Sequence, residues 1–346
     1  MTNWLNLTDE QRRTSLIQAG VNSGIPAKSL EKDWWVTLTL KALFQTQYAD
    51  ALIFKGGTSL SKCWKLIKRF SEDIDIALDP KVVGMEYADH PSRGYLSRLK
   101  KRGCDFTTNT LKDAMAAQFL ALGIPDGTLT IEAEAIEPTM TDKDPQTLFI
   151  KYTSLFEPNP YLPDEVKVEV GIRSKLEPYS KIAIQSLLNE FFPNPAYAEE
   201  PFEVQAVEAH KTFLEKAFLL HEEFKKPDTT KIRTERMSRH FYDLESMMDT
   251  PAAEKALADG KLYSAIIAHR ESYNTMRGFD YATLATKTIN FIPPANLMAA
   301  YHSDYAVMRE QMIYGNPLTP AELFERIKTL NERFGNTEFS SSSKEI

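Results

Sequence analysis

Apolar and polar positions along the chain fall into three patterns: helical spacing, strict alternation and short apolar runs. Residues 6–20 have helical spacing, with Thr8, Asp9 and Glu10 at the start and Gly20 as the expected stop. A second helix is predicted from Pro26 to Gln47, opened by Pro26 or Ser29, with Trp34, Leu38 and Ala42 on its apolar face. Glu31, Lys32 and Asp33 are then expected on its surface. ALIFK, from Ala51, is a run fit for a buried strand, and Gly56-Gly57-Thr58-Ser59 breaks it. Leu60, Cys63, Trp64 and Ile67 follow at the spacing of one helical face. In SEDIDIAL the period changes to two, with Ile74, Ile76 and Leu78 on one side and Asp73 and Asp75 on the other.

Downstream, residues 92–122 are predicted helical. Thr128–Ile136, Thr147–Thr153 and the DEVKVEV segment alternate, and Pro158, Pro160 and Pro163 mark the loop before the last of these. From Glu203 onward helical periods dominate, after the Pro-containing FFPNPAYAEEP. Residues 210–224 place Phe213, Ala217, Leu220 and Phe224 on one face, and residues 236–248 do so with Met237, Phe241, Leu244 and Met248. LTPAELFERIKTL reads as a helix capped by Thr319 and Pro320. The expected class is α+β: N-terminal helices and a sheet-bearing core over 1–200, a helical domain over 201–338, and a disordered tail over 339–346.

Composition narrows the function. The 346 residues carry 41 basic and 48 acidic side chains, a net charge of −7 that argues against a non-specific nucleic-acid coat. No apolar run has membrane-spanning length, and MTNWLNLTDEQRR lacks the pattern of a signal peptide, so a cytoplasmic location is expected. The two cysteines, Cys63 and Cys104, form no disulfide framework.

The stretch from Ala51 to Leu78 carries candidate chemistry. Two glycines between strand and helix allow close backbone approach to a ligand. Thr58 or Ser59 at the helix start can favour an anion. Asp73 and Asp75, on one face of a strand, can hold a hard divalent cation such as Mg²⁺. A phosphate cradle beside paired carboxylates suits phosphoryl or nucleotidyl transfer. Lys216 lies at the margin of an apolar helix face, and Arg236, Arg239, His240 and Asp243 share one arc of another helix. That arc fits a solvated salt-bridge face or the wall of an active site. The basic set Arg93, Arg98, Lys100, Lys101 and Arg102 fits a solvated helix end better than an RNA contact, and Tyr301, Asp304, Tyr305 and Tyr314 fit core packing better than base stacking.

GGTSLSK and RFSEDIDIAL resemble the nucleotidyltransferases grouped with AbiEii/AbiGii toxins, within the DNA polymerase β-like superfamily. KSLEKDWWVTLTL, the pair Glu215-Lys216 and RHFYDL resemble further segments of that family. The resemblance implies a polymerase-β-like core of mixed sheet flanked by helices, followed by a helical domain. It implies that Asp73 and Asp75 bind one or two Mg²⁺ ions, and that Gly56, Gly57, Thr58 and Ser59 receive the triphosphate of an NTP. Glu169 becomes the expected third acid, with Glu165 as its rival. Lys216 is implied at the nucleotide phosphates, with Arg239 helping; Asp243 is implied to orient Lys216 or the nucleotide, or to act as general base. His240 stands where many members have aspartate, which leaves its role open. The implied reaction moves NMP to an acceptor hydroxyl, such as a tRNA 3′ end, in a toxin–antitoxin or abortive-infection setting with a cognate antitoxin. Rival readings are transfer to a small molecule such as an antibiotic, nucleotide binding without turnover, and a merely hydrated Asp-Ile-Asp strand face.

Overall fold

A computed structural model describes residues 2–137, 139–159 and 162–339. The chain divides into two units: residues up to Lys65 with Phe70–Val207, and Leu66–Arg69 with the chain from Glu208.

The first unit opens with α1 (Asp9–Ser23), started by a capping box between Thr8 and Gln11. It stops at Gly24, whose φ of 73° is left-handed, and not at Gly20. Gly20 serves a close approach instead, since a Cβ there would lie 2.9 Å from the Ile25 carbonyl oxygen. Pro26 precedes α2 (Ala27–Leu43). Then come β1 (Leu52–Lys55), α3 (Gly56–Lys62) and β2 (Ile74–Leu78). The helix α3 ends earlier than its apolar spacing suggests, and Lys65 adopts a φ of 54°. Trp64 and Ile67 therefore lie outside it, with Trp64 Nε1 donating to the Val207 carbonyl at 3.0 Å.

Helices α4 (Arg93–Asp105) and α5 (Lys112–Ala121) flank a π-helical turn at Phe106–Leu111. The remaining elements are β3 (Leu129–Ala133), β4 (Gln146–Tyr152), β5 (Glu165–Gly171), β6 (Tyr179–Ile184), α6 (Leu187–Phe191) and β7 (Phe202–Val207). The strands form one seven-stranded mixed sheet in the order β3-β4-β5-β2-β1-β7-β6. At its centre β2 runs antiparallel to β1 and parallel to β5. Residues 203–207 are thus a strand, parallel to β1, and not the start of the helical region. Val166, Val168 and Val170 of β5, Ile74 and Ile76 of β2, and Leu148 and Ile150 of β4 point to one buried face.

The structure also corrects the reading of α2. Glu31, Lys32 and Asp33 are 1%, 2% and 6% exposed, not surface residues. Their helix is buried on almost every side, with Leu30, Trp34, Trp35, Val36, Leu38 and Leu40 all inside. Such a helix is an interior helix, so its charges must find partners inside.

The second unit holds α7 (Ala209–Phe224), α8 (Ser238–Met247), α9 (Pro251–Ala258), α10 (Gly260–Tyr273), α11 (Met298–Gln311) and α12 (Pro320–Asn336). Thr319 and Glu322 form the expected cap of α12, which buries Leu323, Ile327 and Leu330. Tyr301 and Tyr305 are core residues at 0% exposure. Asp304 accepts from the backbone N–H groups of Arg236 and Ser238 at 2.6 and 2.8 Å, fixing the start of α8. Pro160 and the expected tail from residue 340 lie outside the described residues. Among the described residues no helix is long and apolar enough to cross a membrane.

Candidate functional site

In the first unit, the turn from β1 into α3 is shaped around one carboxylate. Gly56 has a φ of 79°, and a Cβ at that position would stand 2.0 Å from Asp75 Oδ2. Only glycine fits, on both conformational and steric grounds. Thr58 is 1% exposed, and its hydroxyl donates to the Asp73 carbonyl at 2.5 Å, tying the turn to the segment that leads into β2. Ser59 is equally buried and lies against the Cys63 thiol, whose pKa is pushed up to about 12, chiefly by burial. Both hydroxyls thus face the protein interior, while Gly56 and Gly57 remain partly accessible.

The strand register assembles the acids. Asp75 lies beside Glu169 across the parallel β2–β5 pair, with Lys55 on its other side in β1. Paired residues on neighbouring strands sit about 4.8 Å apart and share a face. Glu169 also neighbours Thr147 of β4, and its Oε1 is 3.6 Å from Lys167 Nζ. Glu165 stands beside Lys151 instead, beyond the first β2–β5 pair at Ile74 and Val168. It lies about 13 Å along the strand from Glu169 at the usual strand rise. The register therefore puts Glu169, and not Glu165, next to Asp75. Among the described residues no three Asp, Glu, His or Cys side chains converge as a ready-made ion cage. The donor set nonetheless fits Mg²⁺, which takes one or two protein carboxylates and completes its shell with water and substrate phosphate.

The charges missed on α2 support this arrangement. Lys62 Nζ, at the end of α3, lies 2.6 Å from Asp33 Oδ1, and the Leu187 N–H donates to Asp33 Oδ2 at 2.7 Å. Lys32 pairs with Glu72, the residue before Asp73. Glu31 accepts from Ser154 Oγ and the Leu155 N–H at 2.6 and 2.8 Å. Burial raises the Glu31 pKa against those hydrogen bonds. The readable signal was three consecutive charges set between Leu30 and the apolar run Trp34-Trp35-Val36.

The second unit has its own polar cluster. Asp243 of α8 is 0% exposed and accepts a two-pronged bond from Arg69, at 2.7 and 2.8 Å. Lys216 Nζ, from α7, stands 2.8 Å from Asp243 Oδ2. Burial works to raise the Asp243 pKa, but the charges of Arg69 and Lys216 outweigh it and hold the group well below the carboxylate range. Burial pulls the Lys216 pKa down, and Asp243 opposes it. Lys216 is thus more deeply sheltered than a helix-margin lysine, with a side chain 9% exposed. His240 is held well below its ordinary pKa by burial and then by Lys216 and Arg239. Its Nδ1 is buried with no hydrogen-bond partner among the described residues. Arg69 was not singled out from sequence, because its partner lies 174 residues away. The basic set on α4 makes local contacts: Lys100 pairs with Asp142 at 2.6 Å, and Arg102 donates to the Val83 carbonyl.

Carboxylates aligned on a sheet beside a glycine turn can hold a cation and a phosphate chain. In the second unit two buried cations, Arg69 and Lys216, meet the one buried carboxylate of Asp243. Comparison with known proteins found no match among curated ones. A family model described as nucleotidyl transferase AbiEii toxin, type IV TA system, matches residues 39–332, from within α2 to within α12. The chain therefore belongs to the AbiEii family of nucleotidyl transferase toxins, enzymes whose type IV toxin–antitoxin setting implies a nucleotide substrate and a cognate antitoxin.

Proposed function

We propose that this enzyme transfers a nucleoside monophosphate from an NTP to an acceptor hydroxyl and releases pyrophosphate, with the 3′ end of an RNA such as tRNA as acceptor. The observation that carries the reading is the contact of the Asp75 carboxylate with the Gly56 backbone, in register with Glu169. Asp73 and Asp75 would hold one or two Mg²⁺ ions, with Glu169 completing the acidic set. Bound there, Mg²⁺ supplies charge neutralisation at the α-phosphate and leaving group, and a more acidic acceptor hydroxyl. Gly56 and Gly57 leave the backbone open to the phosphate chain. Thr58 acts by fixing the Asp73 backbone, and Ser59 by packing the turn.

In the second unit we assign Lys216 and Arg239 to the binding of anionic charge, and Asp243 to holding the Lys216 ammonium in place. A carboxylate kept so far below the usual range is a weak base, which favours this role for Asp243 over general-base catalysis. Incubation with Mg²⁺, each labelled NTP in turn and either total RNA or a panel of small hydroxyl compounds tests the acceptor. Label in an RNA 3′ end is expected; label confined to a small molecule would replace the RNA assignment.

A further inference from the structure

The buried charges of α2 sit where the two acid-bearing strands begin. Lys32 contacts the Glu72 carboxylate, one residue before Asp73. The same ammonium donates to the Pro163 carbonyl at 2.9 Å, two residues before β5 starts at Glu165. Because β2 and β5 are parallel neighbours, these two points are the same end of adjacent strands. One ammonium with three donors can bridge both. Other groups on α2 fasten the surrounding loop: Lys28 pairs with Asp164 at 2.8 Å and donates to the Glu157 carbonyl at 2.8 Å.

Stability alone does not account for the bridge. The side chains of Lys32 and Glu72 are 3% and 8% exposed, and a buried ion pair is often no more stabilising than an apolar pair of similar shape. What the bridge does achieve is geometric. It joins the segment before β2 to the segment before β5, the strands that carry Asp75 and Glu169.

We propose that Lys32 is a positioning residue for the nucleotidyl transfer, acting through Glu72 and Pro163 to set the acids at 73, 75 and 169 relative to one another. The inference rests on the reading of those acids as the cation-holding set. Misplacement of catalytic groups by about 1 Å can slow a reaction roughly 100-fold.

The test compares wild type with K32M/E72M, which removes both charges at similar volume, and with K32R. Each is measured for unfolding midpoint, Mn²⁺ affinity by calorimetry as a stand-in for Mg²⁺, and kcat and KM for the NTP. K32M/E72M is expected to unfold within a few degrees of wild type, since an apolar pair can replace a buried ion pair. Its Mn²⁺ affinity should fall about tenfold and its kcat about 10- to 100-fold, with KM within about threefold, the pattern of lost positioning. K32R should recover part of both. A stable K32M/E72M with wild-type Mn²⁺ affinity and kcat overturns the proposal. Should K32M/E72M not fold, E72Q is judged by the same two readouts and decides in the same way. A wild-type protein that binds Mn²⁺ without transferring nucleotide would overturn the proposed reaction, while the Mn²⁺ comparison still decides on Lys32. A wild-type protein that binds no Mn²⁺ would overturn both.

Discussion

Gly56 is the position where a single atom decides the most. Its φ of 79° and the 2.0 Å separation of a would-be Cβ from Asp75 Oδ2 act together. Gly56→Ala is expected to destabilise the fold by about 1–3 kcal/mol through backbone strain. It should also lower kcat about 100-fold or more by displacing Asp75. Unfolding curves and transfer kinetics on the same preparation check both; a variant with unchanged kcat would separate Asp75 from the reaction. Asp243 is the corresponding position in the second unit. Asp243→Asn leaves Arg69 and Lys216 buried without their counter-charge. Loss of about 3–5 kcal/mol is expected in denaturant unfolding. A loss under about 1 kcal/mol would mean that water reaches those cations more freely than their burial implies. The shared face of Asp75 and Glu169 was legible in sequence because alternation fixes the face of each strand residue, whereas Asp73 precedes β2. Arg69 and Lys32 were not, because each is defined by a partner far along the chain.

At the level of elements, α7 is pinned by a neutral histidine. The Asn290 N–H donates to His221 Nδ1 at 2.9 Å, and Nε2 lies 3.0 Å from Thr283 Oγ1. Thr283 spends its own proton on the Asp280 carbonyl, so the ring donates from Nε2 and accepts at Nδ1. Protonating Nδ1 would give up the bond accepted from the Asn290 N–H; the Asn290 carbonyl, 3.1 Å from Nδ1, opposes the drop in pKa only in part. Burial, the leading cause, lowers the His221 pKa to about 4. In the unfolded chain the ring protonates near pH 6.5, whereas the folded chain resists until about pH 4. Stability from this group is therefore intact above about pH 6.5 and is lost as pH falls toward 4, by roughly 3 kcal/mol in total. His221→Gln should flatten the fall in unfolding midpoint across that window. An unchanged pH slope would count against the assignment.

The same scale explains which elements could be read in advance. The helices α1, α2 and α12 carry their own caps or starts in sequence: Thr8 with Gln11, Pro26, and Thr319 with Glu322. The strands β6 and β7 do not. Each is six residues long, and β7 reaches its parallel neighbour β1 only across some 150 residues of chain. Local period cannot report such pairings. The burial of Glu31, Lys32 and Asp33 was partly legible, since Leu30, Trp34, Trp35 and Val36 beside them spread apolar side chains around the helix.

On the scale of the molecule, the motifs GGTSLSK, RFSEDIDIAL and RHFYDL were enough to indicate the family, and the family model covers the chain from residue 39 to 332. They did not indicate how the sheet extends on the far side of β1, or that Leu66–Arg69 groups with the second unit. The proposed reaction puts its cation on the acid pair of the first unit. The most direct measurement is pyrophosphate release from Mg²⁺-NTP with an RNA acceptor, run in parallel on wild type, Asp73→Ala and Asp75→Ala, with circular dichroism and unfolding curves for each. Wild type is expected to release pyrophosphate, and both folded variants to lose at least about 100-fold in kcat, the order seen when charge-stabilising groups are removed. Folded Asp73→Ala or Asp75→Ala protein that retains wild-type turnover would contradict the account.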